Sequence, residues 1–369
     1  MKKTLIVLHV LYFLNPTLCL SCTSFYLDHR THPVQGANLD WHDGDGFIVV
    51  NKRGVHKQAV SDPRKDLNPA AWTSKYGSVT FNLYGCDLPW GGMNEAGLAC
   101  STMLLDETKY SEPDSRPSVF MLQYLQYQLD NNTEVDDVLA SDRQLRIRPT
   151  SSGMGAHYFF SDRKGNCALV EFLEGKRFTY SSASMPVKTA VNDNYERCLR
   201  IAKKYHGFGG TFAVPEGNLP YMRFLRTADM LKRINPMQQH SNVDAAFAVL
   251  ESAAYKHHRT THTQWRIVFD INAGRIWYRT GNQAVARHID MNSIDFACTS
   301  PIKVRRIKSP SDGEETIGFE DFNEATNRTM VQKLFRINPF RPNLTAKRLE
   351  RLVKYPETFK CSLMDSLDK

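Results

Sequence analysis

The stretch C-T-S-F-Y-L-D-H-R-T-H-P-V-Q-G-A-N-L-D-W, residues 22–41, decides the fold. It holds two β-prone runs separated by a polar turn, which is the pattern of a β-hairpin with a longer loop. If Leu27 faces Val34, antiparallel pairing brings Cys22 close to Asp40 on the neighbouring strand. A thiol and a carboxylate are therefore predicted to meet at the start of this hairpin.

The residues before the hairpin have the pattern of an export signal. Two lysines open the chain, and an apolar run follows from Leu5 to Leu14. A basic start, an apolar run of this length and small residues before the cleavage point are typical of a secretory signal peptide. No segment reaches the ~20 apolar residues that a membrane span needs. We therefore predict a signal peptide over 1–21, cleavage between Ser21 and Cys22, and a secreted or periplasmic protein with no membrane anchor.

The bulk composition is that of a globular protein. The chain has 369 residues, of which 41% are hydrophobic and 23% charged, with a formal net charge of +8. The basic residues are scattered and form no stripe with interleaved aromatics, so we expect no nucleic-acid partner. There is no repeat, low-complexity tract or linker. We predict one domain over 22–302 with a helical C-terminal extension, 303–369, packed on it.

The cysteines and histidines give little support to a metal site. Of the eight cysteines, Cys19 leaves with the signal, so an odd number remains. Exported chains usually pair their cysteines, and the unpaired one fits a free Cys22. The remaining spacings contain no C-x-x-C, which disfavours zinc and iron–sulfur sites. Three neighbouring histidines lack a carboxylate of matching spacing: His257, His258 and His262. We expect no metal and no cofactor.

The rest of the chain alternates strands and helices. Further strands are predicted over 77–83, 98–105, 157–161, 167–173, 264–271 and 275–279. Helices are predicted over 118–129, 135–139, 195–205, 223–234, 243–256, 329–336 and 345–354. Hairpin-rich sheet, then helices, then sheet again indicates the α+β class, with helices layered on antiparallel sheets.

Cleavage after Ser21 would give Cys22 two reactive groups. Its thiol is a nucleophile, and its α-amine, which titrates near pH ~8 in peptides, can act as the neighbouring base. Such a site also needs an acidic group to hold the amine, donors for a tetrahedral oxyanion and a cation to favour the thiolate. Asp40 is placed for the first of these roles.

Five segments carry a family resemblance. They are C-T-S-F at 22–25, G-A-N-L-D-W at 36–41, G-M-N-E-A-G-L at 92–98, V-N-D-N-Y at 191–195 and M-R-F-L-R at 222–226. In this order they resemble the choloylglycine hydrolase and penicillin V acylase family of N-terminal nucleophile (Ntn) hydrolases. Each segment alone is a weak signal. Their order, and the position of the first at a predicted cleavage site, make the combination specific.

The resemblance covers residues 22 to about 302 and implies both a fold and an activity. The implied fold is an αββα four-layer sandwich with antiparallel sheets. The implied activity is hydrolysis of linear amide C–N bonds in small N-acyl compounds, without a metal or cofactor. Conjugated bile acids, penicillin V and N-acyl homoserine lactones are the expected substrate types. The likeness also implies a homodimer or homotetramer.

The resemblance also assigns roles to single residues. Cys22 is the implied nucleophile, and Asp40 orients its α-amine. Asn192 would offer its side-chain amide to the oxyanion, together with a backbone N–H near Leu104. Arg223 would supply positive charge and hold the geometry of the site.

The most serious departure from the family pattern is at position 37. Ala37 stands where the family has Arg or Lys, which removes a cation close to the thiol. Arg30, Lys52 and Arg53, on nearby loops, are the candidates to replace it. The departure supports an alternative, in which the chain is a catalytically weak relative that acts as an acyl-amide binding or envelope protein.

Three residue roles have rivals. Cys22 could instead be a lipidated cysteine of an envelope lipoprotein or a structural thiol. Asn192 could cap the helix that follows it, with Asn194 as its competitor for the site role. Arg226 is the fallback for Arg223, because it lies three residues later in the same predicted helix.

Overall fold

The computed structural model describes residues 22–28, 32–61, 68–149, 153–181, 184–234, 242–255, 262–281, 283, 285–308, 318–334 and 345–362. The predicted signal peptide lies outside these residues, and so do Arg30, His257 and His258. The prediction of a signal peptide therefore stays a prediction.

Strands make up most of the regular structure. In chain order they are β1 (Thr23–Leu27), β2 (Val34–Trp41), β3 (Phe47–Asn51), β4 (Val55–Gln58), β5 (Ala71–Thr73), β6 (Ser78–Asn82), β7 (Pro89–Asn94), β8 (Ala99–Leu104), β9 (Ser118–Val119), β10 (Arg146–Ile147), β11 (Ala156–Ser161), β12 (Cys167–Leu173), β13 (Lys176–Ser181), β14 (Thr189–Val191), β15 (His262–Asp270), β16 (Arg275–Thr280), β17 (Arg287–Asp290), β18 (Lys303–Arg306), β19 (Glu320–Asp321) and β20 (Lys360–Cys361).

The helices are fewer and lie between or after groups of strands. They are α1 (Met121–Asn131), α2 (Val135–Ala140), α3 (Tyr195–Ala202), α4 (Pro220–Arg233), α5 (Asn242–Ser252), α6 (Glu324–Leu334) and α7 (Ala346–Val353). Each overlaps a predicted helix, with ends that shift by a few residues.

Two antiparallel sheets form the centre of the molecule. One has six strands in the order β14-β1-β2-β15-β16-β17, and the other has nine in the order β13-β12-β11-β8-β7-β6-β3-β18-β19. Helices α4 and α5 pack on the six-stranded sheet, and α1 packs on the nine-stranded sheet. The layers are therefore helix, sheet, sheet, helix, which is the predicted αββα sandwich.

Aromatic rings fill part of the space between the sheets. A network of hydrogen-bonded polar side chains, which we call the polar chain, crosses the same space. Phe81 of the nine-stranded sheet contacts Trp265 and Tyr278 of the six-stranded sheet. The polar chain joins the same two layers through buried side chains: Ser24 Oγ lies 2.6 Å from Ser101 Oγ, Gln35 Nε2 donates to Ser101 Oγ (3.1 Å), and Ser161 Oγ donates to Gln35 Oε1 (2.6 Å). Because buried polar groups need partners, this chain favours one alignment of the sheets.

The register predicted for the first hairpin is confirmed. In the β1–β2 pair, Leu27 lies opposite Val34 and Thr23 lies opposite Asn38. Since a slip of one residue would turn every side chain to the other face, this register determines which groups share the interior with Cys22. Residues two apart on a strand share a face, so Cys22 faces the space between the sheets, as Ser24 does.

The segment after residue 302 joins the large sheet before it becomes helical. Strand β18 pairs with β3 of the nine-stranded sheet, and α6 and α7 follow. A disulfide joins Cys298 to Cys361 and closes the end of this segment against the domain. The predicted domain boundary at 302 stays a prediction.

Cys22 is free, as expected, but the premise that the other cysteines pair was wrong. Besides the one disulfide, the described part of the chain has five free and buried cysteines: Cys22, Cys86, Cys100, Cys167 and Cys198. Four of them serve as small apolar residues of the core, which is a common role for a buried thiol. An odd count therefore does not single out Cys22.

A buried charge cluster ties the C-terminal segment to the domain. Lys57 Nζ donates to Asp87 Oδ1 (3.0 Å) and to Asp130 Oδ2 (2.9 Å). The other carboxylate oxygens are also engaged, because Tyr355 donates to Asp87 Oδ2 (3.2 Å) and Gln126 donates to Asp130 Oδ1 (2.8 Å). We call these five residues the Lys57 cluster.

Candidate active site

Strand pairing places the chemistry around Cys22. Strand β1 lies between β14 and β2, with Thr23 opposite Val191 on one side and opposite Asn38 on the other. Continued by one residue, the first register sets Asn192 beside Cys22. The sequence-predicted residues Cys22, Asp40 and Asn192 therefore converge because three neighbouring strands carry them.

The environment of Cys22 holds its thiol neutral in the chain that still carries Ser21. The side chain is 1% exposed. Burial and the nearby Asp40 carboxylate raise the pKa of the thiol to about 12. Three effects oppose this rise: a hydrogen bond from the Asp40 backbone, the Arg223 charge and a hydrogen bond from the Asn192 side chain. The groups that would stabilise a thiolate are thus already in place.

Asp40 is a buried carboxylate with one unsatisfied oxygen. Its Oδ1 accepts a hydrogen bond from Thr263 Oγ1 (2.5 Å) on the neighbouring strand β15. Its Oδ2 lies 3.9 Å from Arg223 Nη1 and accepts no hydrogen bond from the described residues. Burial raises the pKa of Asp40 to about 7, against the lowering effects of Arg223, Thr263 and Arg266. A buried oxygen of this kind is costly unless a partner arrives.

Arg223 is the cation of the site. It lies on α4, is fully buried, and its Nη1 donates to Cys22 O (2.6 Å) and Thr23 Oγ1 (2.7 Å). The fallback Arg226 points elsewhere: its Nε donates to Ser252 O (2.7 Å). Of the two arginines, the structure brings Arg223 to Cys22.

Asn192 and Asn194 have different partners. Asn192 Nδ2 donates to Leu104 O (2.8 Å), and its Oδ1 accepts from Arg223 Nη2 (3.4 Å). Asn194 is the residue that caps α3, because its side chain accepts from Arg197 N (2.9 Å). The helix-cap role that sequence allowed for Asn192 therefore belongs to Asn194.

The end of β8 presents its backbone to the site. Leu105 N donates to Gly155 O (3.1 Å), so Leu105 and Gly155 form a hydrogen-bonded pair at the end of the β8–β11 ladder. In an antiparallel ladder this pairing alternates, and both backbone groups of the preceding residue, Leu104, point to the other edge. Since Leu104 O accepts from Asn192, the N–H of Leu104 lies on the same edge as the Asn192 amide.

The G-M-N-E-A-G-L segment builds the turn that leads into β8. Gly97 has φ +91°, a left-handed conformation that favours glycine, and the Arg163 side chain packs where a Cβ would stand. Asn94 Oδ1 closes the turn by accepting from Leu98 N (2.9 Å). This segment acts at a distance, by fixing where β8 ends.

Neither of the two described candidates, Lys52 and Arg53, replaces the cation missing at Ala37. Ala37 is buried opposite Ser24, on the face between the sheets. Lys52 Nζ donates to Asp295 O (2.6 Å), and Arg53 pairs with Glu95. Neither contributes to the pKa of the thiol. The expectation that Lys52 or Arg53 could compensate was therefore wrong, and Arg30 lies outside the described residues.

Sequence reasoning missed two hydroxyl groups of the site. Thr263 Oγ1 holds Asp40, and Thr23 Oγ1 holds Arg223. Thr23 lies within the C-T-S-F segment, yet nothing in the sequence indicates that its hydroxyl would accept a hydrogen bond from Arg223. Thr263 is opposite Asp40 in the β2–β15 pair, which sequence could not supply because the strand was predicted to start one residue later.

The described residues contain neither a metal-binding cluster nor a membrane-spanning helix. Within the residues that the structure describes, no group of three or more His, Cys, Asp or Glu side chains could hold a metal ion. Within the same residues, no helix is long and apolar enough to cross a membrane.

The fold is the αββα sandwich of the Ntn hydrolases. Residues 22–209 match the family described as linear amide C–N hydrolases, choloylglycine hydrolase family. The chain belongs to this family of amide-cleaving enzymes. The recognition made from the five sequence segments is thereby confirmed, as is the prediction of a linear amide C–N hydrolase.

Individual relatives agree with this assignment. The chain is 25% identical over 321 residues to the penicillin V acylase of Pectobacterium atrosepticum, and this match covers 77% of the chain and 84% of the relative. Penicillin V acylase from Agrobacterium tumefaciens has a similar fold, with a TM-score of 0.70 and 23% identity. That match covers 82% of this chain and 98% of the other. A mutant conjugated bile acid hydrolase from Clostridium perfringens has a TM-score of 0.63 and 19% identity, and the match covers 80% of this chain and 100% of that structure. These likenesses confirm the αββα fold.

Proposed function

We propose that this chain is an exported amidase whose nucleophile is Cys22, made N-terminal by cleavage after Ser21. The observation that carries the proposal is the unsatisfied Oδ2 of Asp40, a buried acceptor next to Cys22. A newly formed α-ammonium on Cys22 is the donor that this oxygen lacks. Pairing the two would also remove the cost of leaving a buried carboxylate oxygen without a hydrogen bond.

The reaction would proceed through a thioester. The α-amine of Cys22 takes the thiol proton, and the thiolate attacks the amide carbonyl carbon of the substrate. The carbonyl electron pair moves to oxygen, where the Asn192 amide and the Leu104 N–H stabilise it. On collapse the C–N bond breaks, and the ammonium gives its proton to the leaving amine. Water then attacks the thioester with the amine as base, which releases the acid and restores the thiol.

Charge and burial divide the work of activating the thiol. Burial disfavours a thiolate, so the site must supply positive charge within a few ångströms. Arg223 supplies one such charge through its contact with the Cys22 carbonyl. The α-ammonium would supply the second, in a place where the unprocessed chain has only an uncharged peptide group. Cleavage would thus lower the pKa of the thiol and at the same time create the amine that acts as its base.

The substrate should join a bulky apolar acyl group to a small polar amine. Conjugated bile acids, penicillin V and N-acyl homoserine lactones have this form, and two named relatives act on the first two types. Ala37 is an uncharged residue opposite Ser24 on the face between the sheets, so the cation of the family pattern is absent at this position. A homodimer or homotetramer is part of the proposal, to be measured by light scattering.

The test combines protein chemistry with turnover. Chain expressed with its signal should be recovered with Cys22 first, by intact mass and N-terminal sequencing. It should hydrolyse at least one amide of the three types, and Cys22→Ser should abolish turnover while Cys100→Ser retains it. Full turnover by Cys22→Ser on every amide that the wild type cleaves would overturn the assignment.

A second candidate rests on Ala37, because this position lacks the second cation of the family pattern and leaves Arg223 to support the thiolate. In that case the chain would bind acyl-amides without turning them over, and correctly processed protein would not be labelled by a thiol-reactive acyl probe. An envelope lipoprotein would instead carry a diacylglyceryl mass on Cys22.

A further inference from the structure

Two buried ionisable residues near the site have no part in the reaction described above. His157 on β11 and Glu171 on β12 lie directly opposite each other by the register of these strands. Both are fully buried, and His157 Nδ1 lies 3.0 Å from Glu171 Oε1. Buried groups of this kind are costly and are usually retained for a reason.

Glu171 reaches across to the start of α3. Its Oε1 accepts from Tyr195 N (3.1 Å), and its Oε2 accepts from Asn194 Nδ2 (3.2 Å). Asn194 cannot turn its amide around, because its oxygen already caps the helix through Arg197 N. The Glu171 carboxylate therefore anchors Asn194 and Tyr195 at the start of α3. His157 in turn orients this carboxylate through its contact with Oε1.

This anchor lies two residues from the proposed oxyanion donor. Val191 is held in the sheet by Thr23, and Asn194 is held by Glu171. Asn192 lies between these two fixed points, and its amide meets Leu104 O. A short segment fixed at both ends leaves the amide little freedom, and oxyanion donors act only when they are preorganised.

We propose that Glu171 is a positioning residue, which sets the Asn192 amide for the oxyanion while His157 orients Glu171. The inference rests on the proposed function and deepens it. Glu171 makes no contact with Cys22 in the structure, so it acts through the 191–195 segment. A carboxylate is needed because its three partners are all N–H groups, each of which requires an acceptor. A glutamine has one oxygen and must turn its own NH2 toward one of those donors.

The test is a single variant and its rescue. Glu171→Gln should lower kcat by about tenfold to a hundredfold with KM nearly unchanged, less than the loss on removing an oxyanion donor outright. Adding Asn194→Asp should restore most of kcat, because donor and acceptor then exchange places: the glutamine NH2 donates to the new carboxylate. Aspartate also serves as a helix N-cap, so α3 is kept.

A matched control separates positioning from stability. Asp162→Asn removes another buried carboxylate that accepts a backbone N–H, from Val135 N (2.9 Å), at the far end of β11. It should lower the melting temperature and leave kcat unchanged. A folded Glu171→Gln with kcat within twofold of wild type, or a double variant as slow as the single one, would overturn the inference.

The two proposals fail in different ways. If wild type cleaves no amide, the proposed function fails, while crystal structures of wild type and Glu171→Gln still test the anchor. The variant should then show Asn192 Nδ2 released from Leu104 O. An unmoved Asn192 would sink the inference whatever the activity.

Discussion

The Lys57 cluster and the Cys22 site are both buried and charged, yet they differ in how completely their carboxylate oxygens are hydrogen-bonded. In the Lys57 cluster every carboxylate oxygen accepts a hydrogen bond, and the ammonium lies 2.9 to 3.0 Å from its two partners. In the Cys22 site the closest approach of Arg223 to Asp40 is 3.9 Å, and one oxygen of Asp40 accepts nothing from the described residues.

The difference separates structural charge from charge kept for chemistry. Burial lowers the pKa of Lys57, but Asp130 and Asp87 outweigh it, so the net shift is upward and the cation is secure. Burial raises the pKa of a carboxyl in both places, to about 6 at Asp87 and to about 7 at Asp40, so hydrogen bonding and not pKa distinguishes the two regions. A cluster whose carboxylate oxygens all accept hydrogen bonds has no acceptor left for a ligand. The Cys22 site keeps one buried oxygen that can still receive a donor.

Breaking the Lys57 cluster should give the largest loss of stability. Lys57→Met would leave two buried carboxylates without a cation, at a cost of about 3–5 kcal/mol in the free energy of unfolding. Denaturant titration measures the loss, and kcat per folded molecule should not change. A large fall in kcat of the folded variant would contradict the division between the two clusters.

Breaking the Cys22 site should affect rate more than stability. Asp40→Asn keeps the shape but removes the charge that would hold the α-ammonium, so kcat/KM should fall by about a hundredfold to a thousandfold. In the chain that keeps Ser21, the free energy of unfolding should stay close to that of wild type or rise, because a buried carboxylate with an unsatisfied oxygen is lost. Unchanged kcat/KM would show that Asp40 does not hold the amine.

Removing the disulfide should give an intermediate effect on the Lys57 cluster alone. Cys298→Ser with Cys361→Ser opens a loop of sequence separation 63, at a cost of about 2–4 kcal/mol in stability. Tyr355 lies in the same C-terminal segment, so hydrogen exchange should rise around Asp87 and stay unchanged around Cys22. Equal exchange at both places would show that the two regions are one unit.

Processing should also change the pH dependence of stability. In a chain that keeps Ser21, the pKa of Asp40 is about 7 when folded and about 3.8 when unfolded. The folded state then binds more protons between these values, so its stability falls as pH rises from ~4 to ~7. In the chain that begins at Cys22, the ammonium should lower this pKa and reduce the slope. Unfolding free energies of both chains at several pH values test this, with Asp40→Asn removing the difference.

Sequence could predict the Cys22 site better than the Lys57 cluster, and the reason is distance along the chain. The hairpin from Cys22 to Asp40 is local, so its register followed from strand and turn patterns alone. The Lys57 cluster joins β4, α1 and the C-terminal segment, and no short pattern records such contacts. Asn192 and Arg223 were found only because family segments surround them.

Other parts were out of reach for a different physical reason. The strand β3 is buried on both faces, and β14 has only three residues, so neither shows the alternation that marks a strand. Pairing of Cys298 with Cys361 depends on β20 meeting β4, which spacing does not reveal. The hydroxyl of Thr263 gained its role from register, which sequence could place only within a residue or two.

The internal position of β1 has a practical consequence for protein chemistry. Chain ends usually fray, but this strand is bonded to neighbours on both edges, and Cys22 is 1% exposed. In the chain that keeps Ser21, thiol reagents should therefore react slowly with Cys22 in the folded protein and quickly after denaturation. Faster labelling of the same thiol after cleavage would report that removal of the preceding residues had opened the site, and a purification tag belongs at the other end.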